Sequence, residues 1–184
     1  MPTVFTHAAV PLALGLGLGR EAVPPRLLAA GVLAAALPDL DVLTFSWGVP
    51  YAAPLGHRGF SHSLLFAVAL ALVGAAAARA LRAPPGRAFA FLLVACASHG
   101  ALDALTTGGL GVAFLWPWSD RRFFAPAPLR VIAVSPLGLR FFSARGLTVL
   151  ASELVWIWPA ALALSLMLIG VRRLRPARRP GGHA

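Results

Sequence analysis

Lysine is entirely absent from this chain of 184 residues, and acidic residues number only six. Charged residues make up 12% of the sequence, against roughly 25% in an ordinary globular domain, and apolar residues make up 59%. That composition excludes a soluble domain. With the single cysteine, Cys96, no intramolecular disulfide can form. Because the chain has no lysine, its net charge of +10 comes from arginine alone. The composition is typical of a multi-pass membrane protein.

Long apolar runs alternate with short connections, and several approach the roughly 20 residues that cross the hydrocarbon core of a bilayer. The first two runs are short, so a tilted pair or a partly re-entrant hairpin is left open, and the second can extend past Asp41. The five runs cover residues 4–19, 26–37, 62–81, 87–105 and 154–171. We predict an all-α, multi-pass transmembrane helical bundle of about five membrane segments, forming one membrane-embedded domain over residues 1–184.

The arginines are concentrated at one end of this predicted bundle. The larger share of the sixteen arginines lies in three places. These are the connection between runs one and two, the connection between runs three and four, and the segment after run five. If each run crosses, these places share a side, which the positive-inside tendency assigns to the cytoplasm. Residues 172–184 are predicted to be a basic, disordered cytoplasmic tail. Because the arginines lie in short connections between apolar runs, the expected partner is the lipid bilayer and not nucleic acid.

The ionisable residues of the runs are predicted to gather at the opposite, non-cytoplasmic end. In an up-and-down bundle this end holds His7, Asp39, Asp41, His57, His62, His99, Asp103 and Glu153. Ionisable groups near a membrane are costly to bury and normally face a bundle interior or an aqueous cavity. We therefore predict that they meet there, around metal.

The residue types fit that chemistry, although each has a structural alternative. His99 and Asp103 are four apart, so they share a helix face and can bind one metal or simply hydrogen bond to each other. Asp39 and Asp41 are hard anionic ligands suited to zinc, manganese or magnesium, or they form a helix-end turn. The guanidinium of Arg58 matches phosphate or carboxylate, or it anchors the chain at the interface.

The stretch from residue 106 to 152 is the longest predicted non-spanning segment, and it lies on the side of the ionisable residues. Loops of this length are usually functional or interfacial. It contains Trp116 and Trp118, suited to the headgroup level, and the pair Arg121 and Arg122. Glu153, just after it, is a general base, a metal ligand or the buried partner of a loop arginine.

Several motifs together resemble the YdjM/YbcI family of bacterial inner-membrane proteins. They are Thr6–His7, Pro38–Asp41, the block from His57 to Ser63, His99–Asp103 with Thr106–Gly109, Trp116–Arg122 and Ser152–Glu153. Minor departures are Ser61 where threonine is frequent and Trp118 where phenylalanine is more usual. The resemblance covers nearly the whole chain and implies a metal-dependent hydrolase in the bacterial inner membrane.

The order of these motifs is more remotely similar to that of zinc-dependent phospholipase C, an all-helical enzyme that cleaves phosphate esters. That similarity implies His7, Asp39, His62, His99 and Asp103 as metal ligands, with Asp103 bridging two ions. A second downstream pair of histidines is missing, so a complete three-zinc cluster is not expected.

The sequence thus leads to a hydrolase of a phosphate ester in an anionic lipid or lipid-linked molecule. It would use one or two divalent ions, zinc first and manganese or magnesium as alternatives. Asp41 or Glu153 would accept the proton. The anionic head would be held by His57, Arg58, Arg121 and Arg122. The competing hypothesis is a non-catalytic membrane protein with a structural or sensing metal site.

Overall fold

In the part of the chain that the structure describes, seven α-helices overlap the five predicted apolar runs. The computed structural model describes residues 1–136 and 138–174. The described part contains two isolated β-bridges and no strand. The helices are α1 (Val4–His7), α2 (Ala9–Leu18), α3 (Pro25–Ala36), α4 (Leu64–Ala76), α5 (Ala78–Leu81), α6 (Pro85–Ala104) and α7 (Ala144–Leu174). Short 3₁₀ segments cover Leu37–Trp47, Phe60–His62, Ala127–Leu129 and Gly138–Phe141.

The structure fixes the lengths of the second and third runs. For the second run, the extension past Asp41 that the sequence left open is observed, because the 3₁₀ segment Leu37–Trp47 continues α3. The third run is shorter than predicted: α4 has 13 residues and is followed by the separate α5. By length and composition, three stretches of the described chain can cross a membrane: Pro25–Trp47, Pro85–Ala104 and Ala144–Leu174.

Helix α7 begins well before the predicted start at residue 154, so the loop after α6 is shorter than predicted. The early turns of α7 include Arg145 and Glu153, and these charges hide the helix from a hydropathy pattern. The same helix runs to Leu174, so Arg172 and Arg173 are helical and not part of a disordered tail. The rest of that predicted tail, residues 175–184, lies outside the described residues.

Helix α6 is the centre of the bundle. Helices α3 and α4 both pack against it, and α2 packs against α7. Small residues let these helices approach closely. At Gly31, a Cβ atom would come within 2.3 Å of Phe91. Cys96 is buried in this apolar core, as a small hydrophobe.

Large apolar side chains also cover the outside of the bundle. On α7, for example, Leu162 is 61% exposed and Val155 62% exposed. A soluble protein rarely presents so much contiguous apolar surface. The arrangement is that of an all-helical membrane bundle, and the polar ends of its helices converge at one end.

Candidate metal centre

Four buried side chains, all predicted from the sequence, converge at that end of the bundle. Asp39 lies on the 3₁₀ continuation of α3, His62 ends the short 3₁₀ turn before α4, and His99 and Asp103 lie one turn apart on α6. Each offers one ligand atom, and these atoms all lie within 4.8 Å of one another. None of the four residues is more than 5% exposed.

The spacing of the ligand atoms matches a single small cation. The Nε2 atom of His62 lies 2.9 Å from Nε2 of His99 and 3.2 Å from Oδ2 of Asp103. The Oδ1 atom of Asp39 lies 3.4 Å from Nε2 of His99 and 3.9 Å from Nε2 of His62. With metal–ligand bonds of about 2.0–2.1 Å, the ligands of a tetrahedral zinc ion lie roughly 3.3–3.4 Å apart. The four donors therefore fit a divalent ion.

The carboxylates of the cluster lack the hydrogen bonds that buried oxygens normally make. Both oxygens of Asp39 and Oδ2 of Asp103 are buried without a hydrogen-bond partner among the described residues. Leaving a buried polar group unsatisfied costs about 1–3 kcal/mol, and more when the group is charged. A cation between these oxygens would remove that cost.

The two imidazoles are oriented by groups behind them. The Nδ1 atom of His99 lies 2.7 Å from the carbonyl oxygen of Ala35, and because a carbonyl only accepts, Nδ1 is the donor. The Nδ1 atom of His62 lies 3.1 Å from Oδ2 of Asp41. With its proton on Nδ1, a neutral His99 presents an unprotonated Nε2 to the cluster, and a neutral His62 whose Nδ1 donates to Asp41 would do the same. Metal-binding histidines usually have this outer partner, which fixes the tautomer and raises basicity.

Asp41 lies behind the cluster, where its carboxylate is surrounded by several hydrogen-bonding groups. Its Oδ1 lies 2.6 Å from Nδ1 of His57, and its Oδ2 accepts from Ser61 Oγ at 2.7 Å and from the backbone N–H of Arg58 at 3.1 Å. Asp41, His57 and His62 also form a second group whose donor atoms lie within 4.8 Å of one another. The carboxylate thus links two histidines of the site.

His7 lies beside the four-residue cluster. Its ring stacks on that of His99 with centroids 3.6 Å apart, and its Nε2 lies 3.6 Å from Oδ2 of Asp39. The residue is fully buried, and neither ring nitrogen has a hydrogen-bond partner among the described residues. Asp39 therefore faces His62 and His99 with one oxygen and His7 with the other.

Glu153 stands apart from the cluster. Its carboxylate accepts from Thr3 Oγ1 at 2.7 Å, from Thr6 Oγ1 at 2.9 Å and from the backbone N–H of Thr3. The residue is 1% exposed. These contacts tie the start of α1, which carries His7, to α7. The observed partners are two hydroxyl groups and a backbone N–H, where the sequence left a loop arginine open as a partner.

Arg58 is fully buried and holds Asp103 from behind. Its Nη2 donates to Oδ1 of Asp103 at 3.2 Å, and its Nε lies 3.0 Å from Oδ2 at an angle unsuited to a hydrogen bond. Nη2 also donates to Thr106 Oγ1, and Nη1 donates to the carbonyl of Gly108. The backbone of Arg58 is left-handed, with φ of 62°. The guanidinium predicted to hold a substrate phosphate is thus already engaged by protein.

The two loop arginines differ from each other. Arg122 donates to the carbonyl of His57 at 2.9 Å and to three carbonyls of residues 51–53, so it fastens the loop before His57. Burial lowers the pKa of Arg122 and raises that of the neighbouring Tyr51. Arg121 is exposed, with its guanidinium 5.2 Å from the ring centroid of Phe123. Their role toward a substrate stays a prediction.

A pocket of about 290 Å³ borders the outer side of this assembly. Its lining includes His57, Arg58, Tyr51 and Phe45. Because Arg58 contacts both this pocket and Asp103, the pocket lies next to the cluster. The sequence did not predict the supporting roles of Ala35, Thr106 and Thr3, because these roles depend on contacts between distant parts of the chain.

The fold and this buried cluster define a helical membrane protein with a set of histidines and aspartates that could hold a metal ion. The family described as YdjM inner membrane protein matches residues 1–176, and the chain belongs to that family. Inner membrane protein YbcI of Escherichia coli (strain K12) is 52% identical over 175 residues, covering 94% of this chain and 100% of that relative. No solved structure matches. The family and the apolar helices support an inner-membrane location.

Proposed function

We propose that this chain is a membrane-bound, metal-dependent hydrolase that cleaves a phosphate ester of a lipid or lipid-linked substrate. One observation carries the proposal. Four buried donor atoms have separations that bracket those between the ligands of a divalent ion, and three oxygens of the two carboxylates make no hydrogen bond among the described residues. The resemblance of the motif order to zinc-dependent phospholipase C supports phosphate-ester chemistry.

The donor set also favours a reactive site. Structural zinc sites are generally rich in cysteine, whereas hydrolytic zinc sites use histidine with carboxylate and keep a position open. Here the donors are two histidines and two aspartates, with His7 beside them. Zinc fits this set best, and manganese or magnesium would use its carboxylates. When bound, such an ion supplies an activated water nucleophile and positive charge beside the phosphoryl group.

The residues around the cluster have separate tasks in this proposal. Asp39 and Asp103 would hold the ion, while Arg58 fixes the position of Asp103. Asp41 orients His62 and is the nearest candidate to accept a proton, through His57 or directly. Glu153 holds α1 in place. The site lies at the end of the bundle opposite the arginine-rich connections, which we place on the non-cytoplasmic side.

Cobalt substitution tests whether the site is open. Purified protein loaded with Co²⁺ should show a visible spectrum that changes when inorganic phosphate is added, because phosphate would take an exchangeable position on the ion. The matched control is Asp120→Asn, which alters an exposed carboxylate and should leave the change intact. Co²⁺ bound with a spectrum that ignores phosphate would contradict the hydrolase.

A Co²⁺ spectrum that does not change with phosphate would support a structural or sensing metal site. The complete burial of His99 and Asp103 is the observation that favours it. In such a site every coordination position would be filled by protein, with His7 as a further ligand.

A further inference from the structure

A lipid-facing crevice runs along the outside of the bundle toward the metal centre. Helices α3 and α4 pack mainly on α6 and not on each other, which leaves a gap between them. The gap encloses about 260 Å³ and is lined by Leu33, Leu37, Leu70 and Val73, with Leu92 of α6 as its floor. Every residue of its lining is apolar.

A second cavity adjoins this crevice at Leu37, which lines both. The second cavity encloses about 390 Å³, and its lining includes Asp41 and Ser61, which contact His62 from behind. The two adjoining cavities, here called the groove, are lined by apolar residues except for Asp41, Thr44 and Ser61. Their combined size lies within the range of ligand sites, about 300–1,000 Å³.

The surroundings of the crevice select its occupant. Its side on α4 and α5 extends from Leu70 to Leu81, about 16 Å at 1.5 Å per residue. Leu33 and Val73 of its lining are 70% and 65% exposed, so the crevice opens on the outside of the bundle. In an inner-membrane protein the medium beside these exposed side chains is lipid, and a hydrocarbon chain matches the wholly apolar lining.

We propose that the groove binds one hydrocarbon chain of a membrane lipid, oriented with its polar head toward the Asp41–Ser61 end. Identifying this lipid with the substrate rests on the proposed function, but the binding itself does not. Chain burial would guide the head toward the metal centre from the side of the bilayer. It would also favour substrates with a long chain over water-soluble esters.

Photolabelling tests the binding without requiring turnover. The protein is placed in phosphatidylcholine nanodiscs that contain a small fraction of phospholipid with a diazirine near the end of one acyl chain. We expect residues 30–37 and 70–77 to be labelled more strongly than the α7 surface around Leu162, which reports general lipid contact. Val73 is 65% exposed and lines the crevice, so Val73→Trp should obstruct it without disturbing the core.

The control is Leu72→Trp, one position along the same helix, 57% exposed and outside the crevice lining. Val73→Trp should reduce labelling of residues 30–37 at least about fivefold, the effect of a loss of roughly 1 kcal/mol in binding, while Leu72→Trp leaves it unchanged. Should Val73→Trp fail to fold, Ala77→Trp with Ala76→Trp provides the same comparison. Equal labelling of groove and α7, or labelling unaffected by the blocking variant, would overturn the proposal. Crosslinks between two copies through residues 30–37 would also overturn it.

The outcome can be separated from that of the proposed function. Labelling of the groove in a protein whose Co²⁺ spectrum ignores phosphate would retain the lipid site and reject hydrolysis. A phosphate-sensitive Co²⁺ spectrum without labelling of the groove would retain the proposed hydrolase and reject the lipid site.

Discussion

Replacing Asp41 by asparagine separates an orienting role from a catalytic one. The carboxylate lies 2.6 Å from Nδ1 of His57 and 3.1 Å from Nδ1 of His62, and it accepts from Ser61 Oγ and from the backbone N–H of Arg58. An asparagine amide has one acceptor oxygen and one donor group in place of two acceptors. Whichever way the amide turns, His62 loses the anionic partner that raises its basicity. In one orientation its proton moves to Nε2 and points into the metal cluster.

The expected loss of zinc affinity follows from the position of Asp41 behind His62. Replacing an outer partner of a metal-binding histidine typically costs 10–100-fold in metal affinity, about 1.4–2.7 kcal/mol. We expect Asp41→Asn to weaken zinc binding by that factor, measured by competition with a chromogenic chelator on purified protein. His99→Ala, which removes a ligand, should abolish binding, and Asp120→Asn should have no effect.

Two results would refute this reasoning. Unchanged zinc affinity in Asp41→Asn would show that the carboxylate does not orient His62. If hydrolysis then fell at unchanged affinity, Asp41 would be a proton acceptor. Complete loss of zinc, as in His99→Ala, would make Asp41 a ligand itself.

Three further predictions concern stability and sidedness. Saturation with zinc at 100 times its dissociation constant should stabilise the protein by about 2.7 kcal/mol, so adding a chelator should lower the melting temperature by roughly 5–10 °C; an unchanged melting curve would argue against a bound ion. Glu153→Gln should destabilise the fold by about 2 kcal/mol, since hydrogen bonds to a charged group are worth about 1.5–3 kcal/mol, yet keep its zinc; loss of zinc at unchanged stability would contradict its anchoring role. In a Cys96→Ala background, Asp120→Cys should react with a membrane-impermeant maleimide on intact cells and Arg20→Cys only after permeabilisation; the opposite pattern would reverse the orientation.

The residues of the candidate metal centre could be predicted because each stands at or near the end of an apolar run. His99 and Asp103 share a helix face by their spacing alone, and Asp39 and His62 interrupt sequences that are otherwise apolar. In a membrane bundle such interruptions are costly, and the chain topology then brings them together. The same reasoning gave the all-helical architecture.

The supporting contacts could not be predicted, since they join residues far apart in the sequence. Arg58 is an exposed loop arginine by its local pattern, yet it is fully buried because Asp103, 45 positions later, compensates its charge. Glu153 lies 150 positions from Thr3. The start of α7 was hidden by its charges, whereas the sequence left open that the second run extends past Asp41. The local sequence indicates that burying a charged side chain is unfavourable, but it does not indicate which distant residue pairs with that side chain.

The most direct test of the metal centre is metal analysis combined with X-ray absorption at the zinc edge. Purified wild-type protein should contain stoichiometric metal with nitrogen and oxygen ligands only, including two imidazoles. The double variant His99→Ala with Asp103→Asn should contain none, while Asp120→Asn should match the wild type. Wild-type protein without stoichiometric metal, or with the same metal content in the double variant, would contradict the account.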